Sequence, residues 1–317
     1  MTTAPTADAL ARVIAVVNGK GGAGKTSITA NVAGQLAHSG YRVLAIDLDL
    51  SGNLGLDLGY IGRDGDDGGK SLVDSVYSAT PLALITSVRD GLDVIAGGRH
   101  LELLTGLSFS AMAADLPGGG VTGSFALQLT EIADGYDIIL LDCAPGNPVL
   151  QDIALACARY ILIPTKSDAG GWDGLRGVGP RVKKARDTNP QLTYLGAVLF
   201  AHSVSAKRVL RNTRYRLAEV GDRVPLLEAY IRHSETAAHD CRSRGQLAHE
   251  LAADATKNRT ERLQALRDRR SGDDTALPPS LSGSADNLAG DYQQLSREIL
   301  QRINAHEQTT PLSQAAR

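Results

Sequence analysis

The sequence predicts an α/β protein: a mostly parallel, twisted β-sheet with helices on both faces. Three observations predict it. Short runs of consecutive apolar residues recur along the chain, as in strands buried on both sides. Longer stretches of helical character separate those runs, the order of a parallel sheet built from crossover connections. A glycine-rich turn joins the first expected strand to the first expected helix. The 317 residues, 43% hydrophobic and 21% charged, suffice for one sizeable core or two smaller ones. Aromatics make up 4%, so that core is mostly aliphatic.

In chain order, residues 13–17 (VIAVV) form the first expected strand, 25–38 the first helix and 42–46 (RVLAI) the next strand. Residues 137–141 (DIILL), 160–164 (YILIP) and 194–200 (YLGAVLF) are three more. Ligands on such sheets bind beyond the carboxyl ends of the strands. Residues 61–70 (IGRDGDDGGK) break the rhythm as a glycine and aspartate loop. Residues 257–270 are highly charged and read as a solvated helix, and the paired prolines and polar residues of 271–286 read as a linker. Beyond it Leu288, Tyr292, Leu295, Ile299 and Ile303 follow helical spacing and should dock a last helix on the core. The expected organisation is a short flexible N-terminus (1–11), a core (12–254), a charged insertion and linker (255–286), a docked helix (287–306) and a polar tail (307–317).

Composition excludes several classes. The formal net charge is −2, so no whole-molecule field draws the chain to nucleic acid, and any such binding needs a local patch. Cys143, Cys157 and Cys241 form no CxxC pair, which suits a reducing cytoplasm and argues against a disulfide framework or iron–sulfur cluster. The N-terminus lacks the basic and apolar regions of a secretory signal, and no apolar run is long enough to span a bilayer. A cytoplasmic protein is expected.

Residues 19–26 (GKGGAGKT) satisfy GxxxxGK[ST] between an expected strand and helix, the context a phosphate-binding loop requires. The glycines let backbone N–H groups turn inward around phosphate oxygens, and the following helix adds its positive end. The binding segment is Gly21, Gly22, Ala23, Gly24, Lys25, Thr26 and Ser27. Lys25 should reach the β- and γ-phosphates and the Thr26 hydroxyl should ligand Mg²⁺. A chance match is the competing explanation, but average residue frequencies give the pattern in roughly 1% of chains this long. The strand–loop–helix context lowers that further.

A second lysine, Lys20, makes the loop KGGxGKT. Here the sequence resembles the deviant Walker A ATPases of the ParA/MinD group, P-loop NTPases that use ATP and Mg²⁺. The resemblance covers residues 12–250 and the last helix. It implies that Lys20 crosses to a partner subunit's phosphates in an ATP-bound homodimer, and so acts with Lys25 and Asp49 in hydrolysis. Residues 42–53 (RVLAIDLDLSGN) look like the family's DxDxxxN stretch. Strand alternation puts Asp47 and Asp49 on one side. By resemblance Asp47 supports the Mg²⁺ shell, Asp49 orients the attacking water and Asn53 lies in the adjoining switch. Leu50 and Ser51 stand where the family usually has Pro-Gln. Residues 137–146 (DIILLDCAPG) look like a Walker B strand, whose Asp142 holds Mg²⁺ through water. A proline that normally touches adenine is replaced near Glu228, with Pro225 close by.

The family divides by what the ATP-bound dimer holds. Nine Lys or Arg and a single acid, Asp187, lie between Arg181 and Arg216. Lys207, Arg211 and Arg214 share a helical face beside Arg208, opposite Leu210, Leu217 and Val220. Arg232 matches an arginine of DNA-binding relatives in a segment (231–244) similar to their "RxSEA" region, and Arg242 and Arg244 follow. These residues are the expected contacts to nonspecific double-stranded DNA, a surface that dimerisation would double. A solvated basic face is the plainer explanation of such a run. A membrane-positioning ATPase would need an amphipathic C-terminal helix rich in cations, whereas the last helix carries Asp291, Glu298 and Glu307, so no stable membrane association is expected. A metabolic ATP-dependent ligase of related fold would not need Lys20. The resemblance implies a nucleoid-associated partition ATPase for a plasmid or chromosome, stimulated by a ParB-type centromere-binding partner. The N-terminus is too short for a helix-turn-helix domain, so operator-specific repression is not expected.

Overall fold

The computed structural model of the chain describes residues 9–113, 120–203, 208, 213, 224–270, 276–278 and 281–309, with backbone alone for 108–113 and 169. The apolar runs become the middle of an eight-stranded sheet. Its strands are β1 (Val13–Val16), β2 (Val43–Leu48), β3 (Ile85–Arg89), β4 (Leu92–Ile95), β5 (Ile138–Cys143), β6 (Tyr160–Thr165), β7 (Thr193–His202) and β8 (Leu226–Arg232). They lie in the order β3-β4-β2-β5-β1-β6-β7-β8, and every neighbouring pair is parallel except β3–β4. Five of these strands coincide with the expected runs. The other three, β3, β4 and β8, lie toward the edges, where one face meets solvent and the apolar run is interrupted, as in LLEAYIR.

Alternation along each central strand feeds two cores. Ala15, Ile46, Leu141 and Ile161 face one cluster, completed by α3 (Lys70–Ser78), α4 (Glu102–Ala113), α5 (Gly120–Ala133), α6 (Pro148–Cys157) and α7 (Ala169–Ala185). Ile14, Val43, Leu140 and Leu162 face the other. That side is covered by α1 (Lys25–His38), α2 (Asn53–Leu58), α8 (Glu235–Arg244), α9 (Ala248–Arg270) and α10 (Ala285–Thr309). Leu288, Tyr292, Leu295, Ile299 and Ile303 of α10 are all buried there. The arginine–carboxylate pair Arg302–Glu298 on α10 also bonds to β7 and β8: Arg302 donates to the Leu195 and Leu226 carbonyls, and the Glu298 carboxylate accepts from the Glu228 and Ala229 N–H groups. The helix α9 continues unbroken across position 255, where the composition becomes more charged.

Parallel order brings the carboxyl ends of β1, β2 and β5 to one edge. Register places Asp47 of β2 directly beside Asp142 of β5, and Val16 of β1 on the other side of Asp142. The loop leaving β1 therefore passes over two carboxylates.

Candidate nucleotide site

The loop is stapled before it turns. Asn18 is fully buried; its Nδ2 donates to the Pro164 carbonyl of β6 (2.7 Å), while its Oδ1 accepts from the Lys20 N–H (2.8 Å). Gly24, at the mouth of α1, has φ 95°, a left-handed conformation that side chains disfavour. A Cβ there would also fall 2.3 Å from the Phe200 ring. The first turn of α1 carries no acidic residue, so its positive end is not cancelled. Lys25 is buried and curls back so that Nζ donates to the Lys20 carbonyl (3.1 Å). Burial lowers its pKa, and Asp142 opposes that shift.

The carboxylates differ in how they are satisfied. Asp47 is fully buried and caps the segment after β2: its Oδ1 accepts from the Asp49 N–H (2.9 Å) and its Oδ2 from the Leu54 N–H (3.2 Å). The approach is close, because a Cβ on Gly97 after β4 would meet the Asp47 carbonyl at 2.2 Å. Asp49 accepts from the N–H (2.9 Å) and the hydroxyl (2.8 Å) of Ser51. Asp142 is fully buried, and neither of its oxygens accepts a hydrogen bond of normal geometry. Burial pushes its carboxyl up to about 7, with Asp49 adding to the shift and Thr26 and Lys25 working against it. Burial likewise raises Asp47, reinforced by the charge of Asp142.

A buried carboxylate with no well-formed hydrogen bond calls for a cation. The donor set is hard oxygen, which suits Mg²⁺. Among the described residues no three His, Cys, Asp or Glu side chains gather to hold a metal by themselves. A cation here would therefore draw on the Thr26 hydroxyl, Asp142 and the phosphate oxygens of a bound nucleotide. The residues fit a nucleotide triphosphate with Mg²⁺.

Beside the loop lies a cavity of about 280 Å³, lined by Ser27 and Asn31 of α1, Phe200 of β7, Ile231 of β8 and Tyr292 of α10 among others. Neither this cavity nor the stapling role of Asn18 is evident from the sequence pattern. An asparagine directly after the first strand was the available signal.

The lysine and arginines assigned from sequence are scattered. Lys20 is exposed, and its Nζ rests on α7, since a Cβ on Gly170 would fall 1.6 Å from it. Lys207, Arg211 and Arg214 lie outside the described residues, while Arg208 and Arg244 are exposed. Arg232 is engaged inside the protein: Nε and Nη2 donate to the two oxygens of Asp291 (both 2.7 Å), a carboxylate that is 7% exposed. Arg242 donates to Asn53 Oδ1 (2.6 Å) and lies 3.7 Å from Asp57 Oδ1.

Comparison with known proteins agrees with this geometry. The AAA_31 family model, described as an AAA domain, matches residues 11–194. The chromosome partitioning protein ParA of Caulobacter vibrioides is 30% identical over 67% of this chain and 78% of its own length. An uncharacterized protein of Mycobacterium tuberculosis is 29% identical over 66% of this chain, which spans 65% of that relative's length. Among solved structures, cobyrinic acid a,c-diamide synthase from Mycobacterium smegmatis with bound ATP analog and magnesium has a TM-score of 0.60 and 25% identity, over 71% of this chain and 85% of that one. A family match over more than half of the chain, on a parallel sheet whose first loop curls around Lys25 above two buried aspartates, shows that this chain belongs to the ParA/MinD family of P-loop ATPases.

Proposed function

We propose that the chain is an Mg²⁺-dependent ATPase that dimerises on ATP, binds nonspecific duplex DNA and drives plasmid or chromosome partition, with a ParB-type partner stimulating hydrolysis. The observation that carries the nucleotide chemistry is Asp142, fully buried with no hydrogen bond of normal geometry, beside Asp47 and next to Lys25 and Thr26. Phosphoryl transfer needs chiefly positioning and neutralisation of charge. Bound Mg²⁺ supplies part of that neutralisation. Lys25, already desolvated, supplies a second positive charge at the phosphates without having to shed water. Asp49 lies one residue past the end of β2 with one oxygen held by Ser51, which leaves the other to orient a water and take its proton. Lys20, on the exposed part of the loop, is the cation that can reach a partner subunit. The cavity beside Ser27 has room for the nucleotide base, with Phe200 as an apolar face.

The partition reading is supported by the likeness to a protein named for chromosome partitioning and by exposed Arg208 and Arg244, to which Lys207, Arg211 and Arg214 add cations in sequence. The apolar stripe of α10 is buried in the core, so it is not available to a membrane surface. No helix among the described residues is long and apolar enough to cross one. The likeness to cobyrinic acid a,c-diamide synthase supports a second reading, an ATP-dependent ligase. Binding to random-sequence duplex DNA separates the two. The proposal expects tight binding with ATP, weak binding with ADP or no nucleotide, and a steep loss with salt. Lys25→Ala, which should not bind nucleotide, should lose the ATP effect. A wild-type protein that hydrolyses ATP yet binds no DNA at low salt refutes the partition reading and favours the ligase.

A further inference from the structure

A run of polar contacts joins Ser27, at the start of α1, to Asp49 through α2 and α8. The Ser27 hydroxyl donates to Asp57 Oδ2 (3.1 Å). Asp57 Oδ1 is buried and without a hydrogen-bond partner, 3.7 Å from Arg242 Nε. Arg242 Nη2 donates to Asn53 Oδ1 (2.6 Å), Asn53 Nδ2 donates to the Ser51 hydroxyl (2.7 Å), and that hydroxyl donates to Asp49 Oδ1 (2.8 Å). The route begins on the residue after Thr26 and ends on the carboxylate assigned to the attacking water. One link is loose. The Asp57–Arg242 separation is about 0.8 Å longer than a charge-assisted hydrogen bond.

We propose that Asp57 is a positioning residue that reports nucleotide occupancy at Ser27 to α8 and to Asp49, by shifting its partnership from the Ser27 hydroxyl to Arg242. The inference rests on the nucleotide reading of the phosphate loop. The Ser27 hydroxyl has one proton to donate. A phosphate oxygen at the first turn of α1 competes for that proton. Asp57, 8% exposed, would then hold a carboxylate with neither oxygen satisfied, an arrangement a buried charge does not tolerate. Burial already pushes its carboxyl up, while Arg242 and Ser27 pull it back, so the group is sensitive to which of them it faces. The nearest relief is to close on Arg242. A guanidinium drawn toward Asp57 loosens its hold on Asn53, and Asn53 in turn steadies Ser51 against Asp49. Arg242 and Arg244 belong to the same last turn of α8, so the same movement reaches the basic end of that helix.

A purely structural Asp57 would tie α2 to α1 and α8 equally well with or without nucleotide. The test therefore compares nucleotide states. Hydrogen exchange over Glu235–Arg244 is measured in the full chain with and without Mg²⁺–ATP, for wild type, Asp57→Ala and Asp57→Asn. The asparagine keeps an acceptor for Ser27 but lacks the charge that draws Arg242, and it guards against loss of fold in the alanine variant. Wild type should change its α8 exchange by about fivefold or more on binding nucleotide, a usual size for coupled sites. Asp57→Asn should bind ATP and lose most of that change. A change of wild-type size in nucleotide-bound Asp57→Asn overturns the proposal, as does a wild type that binds ATP with no change in α8. A wild type that binds no nucleotide instead refutes the phosphate-loop reading on which the inference depends.

Discussion

Replacing Gly24 by alanine tests the loop geometry most directly. At φ 95° the backbone is in the left-handed region, where a residue with a side chain costs about 1–3 kcal/mol. The new methyl would also lie 2.3 Å from Phe200 Cγ and 2.4 and 2.6 Å from Cδ2 and Cδ1. Ordinary carbon contacts begin near ~3.5 Å, so the ring must retreat by about 1 Å. Spinning the ring about χ2 gives no relief, because Cγ lies on that axis. Either χ1 leaves its rotamer, at about 0.5–1.5 kcal/mol, or β7 shifts. Together these make a loss of roughly 2–4 kcal/mol, which in a chain of 317 residues lowers the melting temperature by roughly 3–6 °C. Thermal unfolding and calorimetric titration with ATP measure the effect, and nucleotide affinity should fall with stability. Adding Phe200→Ala should relieve the steric part and leave the backbone part, giving a favourable coupling of about 1–2 kcal/mol in the double-mutant cycle. A Gly24→Ala protein that melts within about 1 °C of wild type and binds ATP normally would refute both the left-handed turn and the Phe200 contact.

Two further outcomes follow from the site and a third from an ion pair outside it. Asp49→Ala should still bind ATP and dimerise while hydrolysis falls by about 10²–10⁴-fold, as expected when a proton acceptor is lost; unchanged turnover removes Asp49 from the chemistry. Lys20→Ala should bind ATP but dimerise poorly by light scattering, and a normal ATP-dependent dimer ends the idea of a contact across subunits. Away from the site, Arg89 grips Glu250 (2.6 and 2.9 Å) and donates to the Gly245 carbonyl. Burial alone would raise the Glu250 carboxyl, but Arg89 and the Leu247 N–H hold it below its ordinary value. A depressed folded-state pKa stabilises the protein at pH above the unfolded value and loses that contribution as pH falls through the folded one. Glu250→Gln should therefore be less stable than wild type near neutrality, with the difference shrinking in acid denaturation profiles; a gap that stays constant with pH contradicts the assignment.

What sequence alone determined is the local pattern. The phosphate loop at 19–26, the helix after it and the five central strands are contiguous patterns, and their residues need only near neighbours to act. The placement of Asp47, Asp49 and Asp142 at the carboxyl ends of apolar strands was legible, because parallel sheets present such ends on one edge. The edge strands β3, β4 and β8 were not legible, because partial exposure breaks the apolar run that marks a strand. Charge was the least legible property. Arg232 and Arg208 look alike in a count of cations, yet one is locked to Asp291, 59 residues away, and the other is exposed. Asp57 likewise reads as an unremarkable acid in a short helix until folding buries it between Ser27 and Arg242. Only the tertiary structure decides which charges are satisfied, because a carboxylate and its partner meet by chain crossing and burial, and neither leaves a periodic trace in the sequence.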